Sequence, residues 1–278
     1  MLAEFFRHLL SPAPSWLKDM GYVGEQIAIA ARHRRCRDAW APHLESCRSL
    51  IADSAQACPG SGRAIVLGSG PLLDVPLDVL ADRFQEVWLM DIVHSPKVRR
   101  MAGKINNVRL VERDLSGVSR ALYGMDKAGD ATLPEPAPDA VGLAEADFVV
   151  SVNLLSQLPL SPLDFIENRL ARFNADQRQA FARSIVDHHL ALLQGLPGRV
   201  CVITEVMRLI QDGGETLEKV DPLYGAVFPY QGEEWTWAMA PRPEINRKFD
   251  VNLRVVGIAD LGSADQARLC RNTTLAAP

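Results

Sequence analysis

Apolar residues early in the chain recur at helical spacing. Trp40, Leu44, Cys47, Ile51, Ala55 and Cys58 lie three or four residues apart, which places them on one helical stripe. Residues 1 to about 60 read as helical with no strand, and Pro42 marks a helix beginning or a kink. Pro59-Gly60-Ser61-Gly62 then ends the helix and serves as a linker. From residue 63 the pattern changes to short apolar runs alternating with helix-compatible stretches. Strands are predicted over 63–67, 86–90, 107–111, 147–152 and 199–205. Helices are predicted over 76–84 and 95–104, with a long one near 161–193. This alternation predicts a mostly parallel sheet with helices on both faces. Residues 124–146, rich in Gly, Pro, Ala and Asp, read as a long loop or insertion. The runs at 235–240 and 250–260, joined by a Pro-containing connection, predict an antiparallel pair at one sheet edge.

The first strand stops abruptly at Gly68-Ser69-Gly70, where glycine lets the backbone turn sharply and approach a ligand. The second apolar run, Val87-Trp88-Leu89-Met90, stops at an acid, Asp91. Strand, glycine turn, helix, strand and an acid about 20 residues on is how a Rossmann-like unit holds a nucleotide-bearing cofactor. Taken alone, Gly-x-Gly is explained equally well as a tight turn of an α/β protein.

Composition narrows the alternatives. A chain of 278 residues has room for one large domain, here read as 61–278, with a helical extension over 1–60. A net charge of −4 gives no general pull toward nucleic acid or anionic membrane. No apolar run approaches the roughly 20 residues of a membrane helix. The N-terminal segment is too short and too broken by charge for a signal peptide, and five cysteines suit a reducing compartment, so the expected location is cytoplasmic. Cys36, Cys47 and Cys58 would stand about 16 Å apart along a helix at ~1.5 Å per residue. That predicts core packing rather than a shared metal. The basic cluster from Arg32 to Arg37 reads as a solvated helix face, and no metal-ligand spacing, Walker loop or nucleophile elbow is present.

Five weak motifs arrive in a fixed order, and together they resemble the class I S-adenosylmethionine-dependent methyltransferases over about residues 63–260. Val66-Leu67-Gly68-Ser69-Gly70 resembles the first motif, and Asp91 stands where the family places a ribose-binding acid. Val111-Glu112-Arg113-Asp114-Leu115 is similar to the end of the third strand, where an Asp often accepts from the adenine amino group. The stretch from Asp147 through Asn153 to Leu158 resembles the fourth motif. Leu196 to Glu205 looks like the turn into the fifth strand. The resemblance implies a Rossmann-like, mostly parallel seven-stranded sheet closed by an antiparallel pair, with S-adenosylmethionine as cofactor and a small-molecule acceptor. The cofactor residues it implies are Gly68, Ser69, Gly70, Asp91, Asp114, Leu115 and Asn153. Two positions depart from the family pattern. Its usual acid two residues before the first glycine is Val66 here, and its third glycine is Leu72. The first departure leaves open how the methionine end is held.

Each residue also has a plainer reading. Asp91 could cap a helix, Asp114 could anchor the Ser116-Gly117 turn, and Asn153 could satisfy a buried turn. His94, His188 and His189 are candidate bases, none of which the sequence assigns to catalysis. Tyr224, Phe228, Tyr230, Trp235 and Trp237, interleaved with Glu233 and Glu234, suit a flat or cationic acceptor, or equally the packing of an edge strand. The leading expectation is methyl transfer. The alternatives are aminocarboxypropyl transfer of the nicotianamine-synthase type, suggested by Gly68-Ser69-Gly70-Pro71-Leu72, or an inactive cofactor-binding scaffold. An NAD dehydrogenase is disfavoured because Leu73 stands at the third glycine position of its fingerprint.

Overall fold

The computed structural model describes residues 13–128 and 132–263. Three helices come first, α1 (Ser15–Asp19), α2 (Tyr22–Arg35) and α3 (Arg37–Gln56). Strands β1 (Arg63–Leu67), β2 (Glu86–Asp91), β3 (Val108–Glu112) and β4 (Phe148–Val152) then alternate with α4 (Leu77–Arg83), α5 (Pro96–Ala102) and α6 (Ser119–Ala128). Helices α7 (Leu160–Arg169) and α8 (Ala175–Gln194) lead into β5 (Arg199–Asp212), β6 (Glu215–Val220), β7 (Glu233–Ala240) and β8 (Asp250–Ile258).

The sheet runs β3-β2-β1-β4-β5-β8-β7, with β6 paired to β5 off that path. Strands β3, β2, β1, β4 and β5 are parallel, and β8 and β7 close the sheet antiparallel. Strand order reverses beside β1, so a crevice opens at the carboxyl ends of β1 and β4, where α/β sheets bind ligands. Phe148–Val152 is buried throughout, because helices cover both faces and leave no need for alternation.

One face packs on α3, α4 and α5, the other on α6, α7 and α8. Trp40, Leu44, Cys47, Leu50, Ile51 and Ala55 of α3 join Ala64, Val66, Phe148 and Val150 in a single core layer. Helix α3 is therefore part of the sheet's own core. Cys36, Cys47 and Cys58 lie in that layer as free, buried thiols. No helix among the described residues is long and apolar enough to cross a membrane.

Four local expectations need correction. Pro42 lies inside α3, where its exposed position leaves the carbonyl it cannot serve open to water. The break falls instead at Cys36, whose φ of −105° and ψ of 25° separate α2 from α3. The long helix is two, because Asn174 starts a new one: it accepts from the Gln177 N–H, and the Gln177 side chain bonds back to Asn174. The loop assigned to 124–146 begins inside α6, whose Leu122 and Met125 are buried. Finally, β5 continues to Asp212 and turns through Gly213 (φ 56°) and Gly214 (φ 95°) into β6, an eighth strand beside the expected seven. Positive φ at two successive residues suits a tight hairpin. Strand β6 is solvent-exposed along nearly its whole length, so it carries no apolar period to betray it.

Candidate functional site

The carboxyl ends of the parallel strands open on a cavity of about 270 Å³, walled on the far side by α2 and α3. Gly68 and Gly70 line it at φ 72° and 48°, conformations that side chains strongly disfavour. A Cβ at Gly68 would stand 2.9 Å from Leu154 Cδ1, so the turn is closed to larger residues by packing as well as by φ. Leu72, where the family pattern has a third glycine, nonetheless adopts φ 57°. The left-handed bend survives there at a cost of about 1–2 kcal/mol.

Asp91 ties this turn to β2. Its Oδ2 accepts from the Gly70 N–H at 2.8 Å and its Oδ1 from the Ile92 N–H at 2.8 Å. Burial raises its carboxyl to about 6 despite those bonds. Each oxygen keeps a further lone pair for a ligand hydroxyl. Ser69 does not line the cavity: it is buried behind the turn, with Oγ 3.4 Å from His94 Nε2.

Asp114 and Leu115 line the cavity from the end of β3. Asp114 Oδ1 accepts from the Ser116 N–H (3.0 Å) and hydroxyl (2.6 Å), and Oδ2 accepts from the Ser119 N–H (2.8 Å). Its carboxylate thus builds the turn that starts α6 while also facing the cavity. Asn153, at φ 48° just after β4, lines the cavity and joins a group of side chains that sequence patterns did not single out. Its Nδ2 donates to Asp74 Oδ2 at 2.8 Å and lies 3.2 Å from His43 Nε2.

His43 projects from α3 between two tryptophans of β7. It stacks on Trp237 with centroids 4.0 Å apart and planes 3° from parallel, and its Nδ1 accepts from Trp235 Nε1 at 2.9 Å. Burial lowers its pKa to about 3, so the ring is neutral in ordinary buffers. His43, Cys47 and Asp74 bring donor atoms within 4.8 Å of one another. Their geometry is that of packing rather than ligation. The thiol lies 3.7 Å and 3.6 Å from the two ring nitrogens, so it faces neither one preferentially, and Nδ1 is already committed.

Glu205, at the end of the parallel part of β5, is buried on the cavity wall. It accepts from the Ser156 hydroxyl and from Gln157 Nε2 (3.4 Å), and burial raises its carboxyl above the usual range. None of His94, His188 or His189 lines the cavity. Burial holds His94 and His189 down at about 4, and His189 Nε2 is spent on Ser151 at 3.0 Å.

The lining carries five acids (Glu25, Asp74, Asp91, Asp114 and Glu205) against two arginines (Arg32 and Arg208). Among the described residues, none of Asp74, Asp91 and Glu205 has a lysine or arginine nitrogen within 4.0 Å. That surplus of carboxylate attracts a cation.

No protein-family model and no curated protein matches the chain. Solved structures do. A Burkholderia thailandensis 1,6-didemethyltoxoflavin-N1-methyltransferase, with 1,6-didemethyltoxoflavin and S-adenosylhomocysteine bound, is 16% identical. The match covers 84% of this chain and 87% of that one, with a TM-score of 0.39. The DhpI complex with SAM and HEP is 15% identical over 88% of this chain and 86% of that one, TM-score 0.34. A SAM-dependent methyltransferase from Leishmania major is 16% identical over 80% and 73%, TM-score 0.36. Strand order, the reversal beside β1 and the antiparallel closing pair make the fold Rossmann-like.

Proposed function

We propose that this protein is an S-adenosylmethionine-dependent methyltransferase acting on a small-molecule acceptor. The observation that carries the reading is the convergence of Gly68, Gly70, Asp91, Asp114, Leu115 and Asn153 on one acid-rich cavity at the switch point. The residues fit that cofactor. Asp91 offers two acceptor oxygens for a pair of ribose hydroxyls, and the glycine turn admits close approach of a backbone-width ligand. The uncompensated carboxylates suit its positive charge.

When bound, S-adenosylmethionine supplies a methyl group activated by a positively charged sulfur. The chain's contribution is then chiefly to hold and orient, which can supply much of such an acceleration. Trp40, His43 and Trp237 give the far wall an aromatic surface, with Trp40 set edge-on to Trp237 at 4.8 Å. Glu205, its carboxyl raised by burial, is placed to take a proton from a nitrogen or oxygen nucleophile. Incubation with methyl-labelled S-adenosylmethionine and a panel of small amines and hydroxyl compounds tests the reading. Label transfer with release of S-adenosylhomocysteine is expected, whereas methylthioadenosine as the product would contradict it.

Asp91 also gives the binding a pH dependence. Ribose hydroxyls donate to its ionised form, so cofactor affinity is expected to be full above pH 7 and to fall as pH drops through about 6. The ligand-free protein should behave in the opposite sense. Its folded Asp91 holds a proton more tightly than the unfolded chain, so this group's contribution to stability is lost as pH rises from about 4 to 6. Titrations and thermal melts across pH 4 to 8 would show the two trends, and an affinity flat across that range would contradict the first.

A further inference from the structure

The turn that receives the cofactor ends in a carboxylate that forms no ion pair. Asp74 lies six residues beyond Gly68 and lines the same cavity. The side chains whose polar atoms meet it are uncharged: Asn153, which donates to it at 2.8 Å, the neutral ring of His43, and the thiol of Cys47, held far from ionisation by burial. Arg48, the guanidinium on that side, acts on Asp74 only from a distance, because its nitrogens are used elsewhere. Its Nη1 donates to the Leu73 carbonyl at 2.6 Å and its Nη2 pairs with Glu45 at 3.2 Å. A half-buried carboxylate left in this state loses hydration without a compensating ion pair.

Val66, the position where the family pattern has its acid, is fully buried in the β1 core and cannot reach the cavity. Of the two other lining acids that form no ion pair with lysine or arginine, Asp91 is held by the Gly70 and Ile92 N–H groups, and Glu205 already accepts from two side chains and sits at the end of β5, two strands from β1. Asp74 accepts from one side chain, stands on the segment leaving the glycine turn, and contacts Asn153 at the end of β4, the strand beside β1. We propose that Asp74 is the anion that receives the ammonium group at the amino-acid end of S-adenosylmethionine, in place of the acid absent at Val66. Asn153 is then a positioning residue that holds the carboxylate toward the cavity. This assignment rests on the cofactor reading above and adds a residue that neither motif nor spacing marks.

Calorimetric titration of the full chain with two probes tests it: S-adenosylhomocysteine, and its deamino analogue in which hydrogen replaces the amino group. D74N keeps the shape and the acceptor for Asn153 but removes the charge. It should weaken S-adenosylhomocysteine by about tenfold or more, the scale of a charge-assisted hydrogen bond, and the deamino analogue by less than about twofold. The wild type should prefer S-adenosylhomocysteine to the analogue by a similar factor. Equal weakening of both probes, or of neither, while the wild type binds normally, overturns the role of Asp74 and leaves the cofactor reading standing. A folded wild type that binds neither probe overturns both. Thermal melts establish that D74N is folded; should it not be, D74S takes its place under the same criteria.

Discussion

Asp91→Ala is expected to weaken S-adenosylmethionine binding by about 1.5–3 kcal/mol, a loss of roughly ten- to a hundredfold. Two effects add. The variant removes the acceptors for the ribose hydroxyls, and it frees the Gly70 and Ile92 N–H groups that the carboxylate now holds at 2.8 Å. The second effect loosens the turn itself, so the loss should exceed that in Asp91→Asn, which keeps one acceptor oxygen. Isothermal titration of both variants beside the wild type checks the order. Equal affinity in all three would mean that the ligand does not touch this carboxylate.

The largest effect on stability is expected from Trp237→Ala, at about 3–5 kcal/mol. Trp237 is 7% exposed and carries contacts on two sides, the flat stack of His43 and the edge of Trp40. Truncation opens a cavity between α3 and β7 and leaves His43 held through Trp235, Asn153 and its α3 neighbours. For a chain of this size the melting temperature should fall by about 10 °C. Trp237→Phe retains an aromatic face for the stack and should recover more than half of the loss. Chemical denaturation with both variants measures the difference, and a Trp237→Ala protein within about 1 kcal/mol of wild type would show that helix α3 does not depend on this contact.

The parallel half of the sheet was legible because its strands are short apolar runs with both faces covered; each predicted range starts within one residue of its strand and, β5 aside, ends within one. The closing pair was legible as well, from the runs at 235–240 and 250–260 that became β7 and β8. Strand β6 was not, because it is exposed along nearly its whole length and needs no apolar period. Helix boundaries failed where side-chain caps decide them, as at Asn174 and Gln177.

The strand-end side of the cavity was legible for a related reason. Gly68, Gly70, Asp91 and Asn153 end strands, and strand ends converge by topology. Ser69 shows the limit of that inference, since alternation at a turn sends its side chain behind the sheet toward His94. Asp74, His43 and Glu205 escaped because they meet only in three dimensions, from the loop after β1, from α3 and from β5. His43 sits on the same helix as the apolar stripe, one residue before Leu44, and nothing in its spacing distinguishes a cavity wall from a core. Asp74 had a signal, an acid closing Gly-Ser-Gly-Pro-Leu-Leu-Asp, that becomes readable once Val66 is known to be buried.

The central claim is that the cavity beside β1 binds S-adenosylmethionine. Calorimetric titration of the folded wild-type chain at pH 7.5 tests it most directly. Saturable binding of one cofactor per chain, competed by S-adenosylhomocysteine, is the predicted result. No measurable heat at millimolar cofactor, with the protein shown to be folded, would contradict it.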